Sequence, residues 1–153
     1  MIRYKIEGDN LPVVICYPEA GQTLMTESGA MSWMSPNMRM TTNTGGGIRK
    51  MFGRMFSGES IFMNEYTAEG GTGMIAFASS FPGSIIPFRV TPGNGIIVQK
   101  HGFLAMEKGL EMSVHFHRRF VVVVYKNITD AKILFFENIE NLFIKRGADS
   151  LSS

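Results

Sequence analysis

The amino-acid sequence predicts an all-β domain, and three observations carry that expectation. Short runs of about four to eight residues, rich in β-branched, aromatic and methionine side chains, recur along the chain. Glycine is abundant, 17 of 153 residues, and falls with proline, asparagine and aspartate between those runs. Sustained helical periodicity is confined to two places, one in the middle of the chain and one in its tail.

Taken in order, the strand-like runs are Tyr4–Glu7, Val13–Tyr17, Gln22–Thr26, Met31–Met34 and Met38–Thr42. Asp9-Asn10, Glu19-Ala20-Gly21, Ser28-Gly29 and Ser35-Pro36-Asn37 are the turn signals between them. Then come Ile61–Ala68, Met74–Ala78, Ile85–Val90, Ile96–Lys100, Phe103–Glu107 and Glu111–His117. Gly70-Gly71, Pro82-Gly83, Pro92-Gly93 and Lys108-Gly109 separate these. Pro87 has no N–H to give a ladder, so its run is expected at a sheet edge or a bulge. Trp33 alternates with Ser32 and Met34 and is expected in the core.

The middle segment reads differently. Gly45-Gly46-Gly47 leads into Ile48, Arg49, Lys50, Met51, Phe52, Gly53, Arg54, Met55 and Phe56. Apolar positions 48, 51, 52, 55 and 56 share a helical face, with the three cations between them. A short basic amphipathic helix on glycine hinges is expected, serving as a plug for the β-core, an oligomer contact, or a membrane-surface or ligand flap.

Residues 18–42 resemble residues 91–114. Gly21 answers to Gly93, and Gly29-Ala30-Met31 to Gly102-Phe103-Leu104. Met34 through Thr41 answers to Met106 through Ser113. The chain therefore divides into a β-repeat region, 1–119, with units of about 1–90 and 91–119, the second incomplete. The tail, 120–153, departs from the pattern. It opens on the strand-like Phe120-Val121-Val122-Val123-Val124-Tyr125. A helix is then expected, with Thr129 as N-cap and Asp130 in its first turn. Ile133, Phe136, Ile139, Leu142 and Phe143 form one face, Lys145 and Arg146 the last turn, and Gly147 the stop.

Composition limits the function. Hydrophobic residues are 44% and charged residues 18%, enough apolar mass for a packed core. A net charge of +2 makes no case for nucleic acid by itself. Cys16, the single cysteine, lies in an apolar run and is expected as a buried small side chain. The first residues carry Arg3, Lys5 and Glu7 and no signal-peptide core, and no run is long enough to span a membrane. The cytoplasm is the expected location.

Several motifs together resemble a known family. Gly29-Ala30-Met31-Ser32-Trp33-Met34, Gly58-Glu59-Ser60-Ile61-Phe62, Ala68-Glu69-Gly70-Gly71-Thr72-Gly73 and Pro92-Gly93-Asn94 are similar to the family named after the yeast "altered inheritance of mitochondria" protein, formerly a bacterial domain of unknown function. The resemblance covers about residues 1–119. It implies a fold like that of the trp RNA-binding attenuation protein: short double-stranded β-helix units repeated about a pseudo-symmetry axis. It implies no catalytic activity. Family members continue with further β-units, so a truncated or frame-disrupted relative is the hypothesis for the tail. Sequencing the encoding region tests it, and the absence of a shifted frame restoring those units counts against it.

No cofactor is expected, and the chain is not expected to be an enzyme. His115 and His117 flank Phe116, and with His101 they are weak metal candidates that lack an evident further donor. Ser57-Gly58-Glu59-Ser60 is no nucleophile elbow, and Gly45-Gly46-Gly47 is no P-loop. Lys100, His101, Phe103, Arg118, Arg119 and Phe120 are sparse material for RNA. The leading expectation is a non-enzymatic scaffold that forms homo-oligomers. It would act through a sheet edge left open by the incomplete repeat and through Arg49, Lys50, Met51, Phe52, Arg54, Met55 and Phe56. The alternatives are a module binding RNA or an anionic membrane surface, and a cupin-like metal-binding protein.

Overall fold

The structure is a computed structural model. It describes residues 1–27, 29–42, 63–79, 81–91, 96–99, 102–117, 119–125, 132–138 and 145–146. The segment 48–56 lies outside these residues, as do His101 and the expected cap at Thr129.

Every described element is a strand, apart from turns and bends, an isolated bridge at Thr91 and a 3₁₀ residue at Gly102. They are β1 (Arg3–Glu7), β2 (Val13–Tyr17), β3 (Thr23–Glu27), β4 (Met31–Met34), β5 (Met38–Thr42), β6 (Met63–Ala68) and β7 (Ile75–Ala78). Then come β8 (Ser84–Val90), β9 (Ile96–Gln99), β10 (Phe103–Glu107), β11 (Glu111–His117), β12 (Arg119–Tyr125), β13 (Lys132–Asn138) and β14 (Lys145–Arg146). The first sheet runs β1-β2-β7-β4, the second β5-β6-β3-β10-β13-β8, and the third β11-β12-β9-β14. All pairings are antiparallel.

The first two sheets pack face to face. Val14 and Cys16 of β2 and Ile75 and Phe77 of β7 meet Leu24, Tyr66, Leu104, Ile133 and Phe135 of the second sheet in one core. Two edge-to-face ring contacts bridge the layers, Tyr4 with Phe135 at 4.9 Å and Tyr66 with Phe77 at 6.2 Å between centroids. Alternation explains the side chains chosen: residues two apart on β2, β7 and β13 point the same way into the core.

The pairing pattern recurs along the chain. β7 lies between β2 and β4, and β13 lies between β8 and β10. β6 lies between β5 and β3, and β12 lies between β11 and β9. Even an irregularity recurs: the register slips between Met31 and Trp33 on β4 and between Phe103 and Ala105 on β10. Met31, Trp33 and Met34 thus occupy the positions of Phe103, Ala105 and Met106.

Two sequence expectations are corrected. The tail helix gives way over its first turns to β13, which is paired on one side to β8 and on the other to β10. Ile133-Leu134-Phe135-Phe136 is an unbroken run of β-branched, leucine and aromatic residues. Such a short run fits helical and strand periods alike, and the gap between β8 and β10 selects the strand. Lys145 and Arg146, assigned to a last helical turn, form β14 instead. Trp33, expected in the core, is 46% exposed because β4 is an edge strand. Pro87 behaves as expected: its strand, β8, lies at one edge of the second sheet, opposite the β5 edge.

Candidate functional site

The turn between β4 and β5 carries the chain from the edge of the first sheet to the edge of the second. Pro36 sits at its second position, and the Met38 N–H closes it on the Ser35 carbonyl at 3.0 Å. The Ser35 hydroxyl donates to Asn37 Oδ1 at 2.6 Å and accepts from the Met74 N–H at 2.9 Å. Asn37 Nδ2 donates to the carbonyls of Glu69, at 3.3 Å, and Thr72, at 3.2 Å. The turn is therefore pinned to the neighbouring 69–72 turn, and the two edge strands leave it at set positions.

Among the described residues, β4 pairs only with β7, and β5 only with β6. Each presents its other backbone side as an open ladder. Trp33 and Met34 are 46% and 37% exposed, and Met40 on β5 is 49% exposed. The other edges of the first two sheets carry the usual defences against strand addition. β1 has Arg3, Lys5 and Glu7, β8 has Pro87 and Arg89, and β5 has Arg39, ion-paired to Glu69 at 3.3 Å. Met31-Ser32-Trp33-Met34 has no charge and no proline. Among the described edges of these two sheets, β4 is the bare one.

A second polar locus lies inside the molecule. Glu107, at the end of β10, is buried and accepts the Ile2 N–H at Oε1 and the Ile133 N–H at Oε2, the latter at 3.3 Å. The Met1 amino group stands 4.0 Å from it. Buried Glu65 takes an ion pair from Lys108 Nζ at 2.8 Å. Cys16 is buried, as its apolar run predicts, and burial pushes its thiol pKa well above the usual range, with the charge of Glu107 adding to the rise. Such a thiol stays protonated and is a poor nucleophile.

Most of the sequence-predicted site residues lie outside the described residues. Arg49, Lys50, Met51, Phe52, Arg54, Met55 and Phe56 fall outside the described residues, as do Lys100, His101 and Arg118. His115 and His117 lie on β11, an edge of the third sheet, opposite Val121 and Arg119. Phe103 is buried, in line with a core role. Among the described residues no three His, Cys, Asp or Glu side chains converge as a metal site, and no helix is long and apolar enough to cross a membrane. The exposed β4 edge and the buried Glu107 escaped sequence reasoning. The absence of charge on Met31–Met34 was the only local sign of the first.

Three antiparallel sheets, two of them packed face to face, define an all-β protein. The chain belongs to the family described as Mitochondrial biogenesis AIM24, which matches residues 4–144. That span runs through β12 and β13, past Arg119, where the sequence motifs end. The fold is similar to that of a Streptococcus pyogenes protein solved by X-ray crystallography in a structural-genomics programme, at a TM-score of 0.72 and 22% identity. The likeness covers 91% of this chain and 65% of that one, so the chain spans about 65% of its neighbour's length. No curated protein matches the sequence.

Proposed function

We propose that this protein is a non-enzymatic assembly protein whose copies join edge to edge, β4 of one against β9 of the next. The carrying observation is that, among the described residues, β4 is open where its counterpart is not. β10, in the same place within its strand set, pairs with β3 through Ala105↔Thr26, Met106↔Met25 and Glu107↔Leu24. Ala105 and Met106 are there 0% and 2% exposed. The strand corresponding to β3 in the second set is β9. The same register would place Trp33 opposite Val98 and Met34 opposite Ile97. The unmatched apolar edge then gains both a ladder and a cover.

The reading rests on repeated β-units, supported by the recurrent strand pairing and the recurrent register slip. On this reading the second unit extends to β13 rather than stopping near residue 119. β14 lies on Ile96 and Ile97, the backbone that the incoming β4 would use. A pairing of only two residues is readily displaced, and removing residues 145–153 should promote assembly. A head-to-tail joint of this kind adds copies until the ring closes. The proposal places the assembly in the cytoplasm, a reducing compartment suited to an unpaired cysteine; fractionation of cells tests that placement.

Size-exclusion chromatography with light scattering tests the assembly. An oligomer in the parent protein, and smaller species for Trp33→Arg, are expected. A clean monomer of the parent at high concentration overturns the proposal.

A further inference from the structure

The turns that end β4 and β10 are counterparts, yet their chemistry differs. In the first, the Ser35 hydroxyl caps the Met74 N–H; in the second, the Glu107 carboxylate caps the Ile133 N–H. Following the register outward from Ala76↔Trp33 and Phe135↔Ala105, Pro36 and Gly73 correspond to Lys108 and Lys132. The position of Gly73 is closed in its own set, since a Cβ there would collide with Met38 Sδ. The turn geometry is thus met once with proline and glycine where the second turn has Lys108 and Lys132. The Glu107 carboxylate caps the second turn, but neither lysine is needed to form it.

Those charges line a cleft of ≈ 290 Å³, bounded by Gly21, Gln22, Thr23, Glu107, Lys108 and Lys132, with Ile2 at one wall. The volume suits a small molecule at the lower end of ligand pockets. Extending the pairing Met106↔Leu134 by two residues sets Lys108 opposite Lys132. Like charges facing across a ladder repel. Lys108 is paired to Glu65, whereas Lys132, half-buried, has no ion pair or hydrogen bond among the described residues. Glu107 faces the same cleft, but its oxygens are engaged by the two backbone N–H groups and its side chain is only 5% exposed. The Gln22 side-chain oxygen accepts from the Glu19 N–H at 2.8 Å, which leaves its NH₂ as a donor.

We infer that this cleft binds a small oxyanion, the carboxylate or phosphate group of a small metabolite, between Lys108 and Lys132. The anion answers Lys132, whose charge is otherwise unmet among the described residues, with Lys108 beside it held by Glu65 and Gln22 supplying a directional hydrogen bond. Lysine fits this role as a compact point charge on a flexible stem.

The test is a titration of the full chain with inorganic phosphate and, separately, with succinate, followed through the backbone amide resonances of Gly21, Gln22 and Lys132. Saturating shifts are expected with at least one anion. Affinity should fall at least tenfold in Lys132→Ala and hold in Lys5→Ala, whose lysine pairs with Glu7 on the outer strand β1. Should the alanine variant lose its dispersed spectrum, Lys132→Gln takes its place. Saturation by phosphate alone assigns phosphate esters, by succinate alone carboxylates, and by both oxyanions at large. Non-saturating shifts with both anions, or equal weakening by the Lys132 and Lys5 variants, overturn the inference.

Discussion

Strands β4 and β10 hold equivalent places in their strand sets, and they could hardly differ more in environment. Trp33 and Met34 face solvent while Ala105 and Met106 are sealed between β3 and β13. The larger side chain stands on the exposed strand and the smallest one on the covered strand. Volume follows from this: a strand with neighbours on both sides and a layer above has room for alanine, and an edge has room for tryptophan. The difference teaches that burial here is conferred by pairing partners rather than by the hydrophobicity of the strand itself.

Substitution measures that contrast, and the largest effect belongs to the covered side. Phe135→Ala, which empties a fully buried ring position on β13, is expected to destabilise the fold by about 3–5 kcal/mol in urea unfolding. A loss below about 1 kcal/mol would show that the second sheet does not hold the core described.

The counterpart turns come next. Glu107→Ala strands two buried backbone N–H groups that met a charged acceptor, an expected loss of about 1.5–3 kcal/mol. Ser35→Ala removes a neutral acceptor from one N–H, with about 0.5–1.5 kcal/mol expected. Equal losses in the same unfolding assay would mean that the carboxylate adds nothing beyond the serine.

The Cys16 thiol gives a smaller, pH-dependent effect. Burial first, and then Glu107, raise its pKa in the folded state. The folded protein therefore keeps a proton that the unfolded chain gives up. Stability from this group is full below the ordinary thiol range and falls as pH rises above about 8.5. Tyr66, raised chiefly by burial, adds a like decline from about pH 10. Stability curves for Cys16→Ala should lack the first part of the slope. A slope unchanged by the substitution would assign it elsewhere. The native thiol should also resist alkylation until the chain unfolds.

Smallest in stability is the open edge. Trp33→Ala is expected to alter unfolding by no more than about 0.5 kcal/mol while weakening assembly. A loss of several kcal/mol in a monomer would place Trp33 in the core and end the contrast between β4 and β10.

Much of the strand layout was legible before any coordinates. Val13–Tyr17, Met31–Met34, Met38–Thr42, Phe103–Glu107 and Glu111–His117 have the same bounds in the structure as in the sequence reading. Alternation and turn residues act within a few positions, and both are visible locally. The tail was misread because Ile133, Phe136 and Leu142 satisfy a helical period. What decides β13 is a pair of strands, β8 and β10, that a local pattern does not contain. Glu107 had no local signature at all: its partners are Ile2, 105 residues away, and Ile133, 26 residues away.

The sequence by itself determined where the chain extends and where it turns, that Pro87 belongs on an edge, and that Cys16 is buried. Each follows from a residue's own chemistry: a missing N–H, an apolar neighbourhood, a glycine at a turn. Only the tertiary structure decided which strands are central and which are bare, that a tryptophan stands at the rim, and that two lysines from distant strands line one cleft. Those are relations between segments distant along the chain, set when backbone groups must find partners and sheets must cover each other.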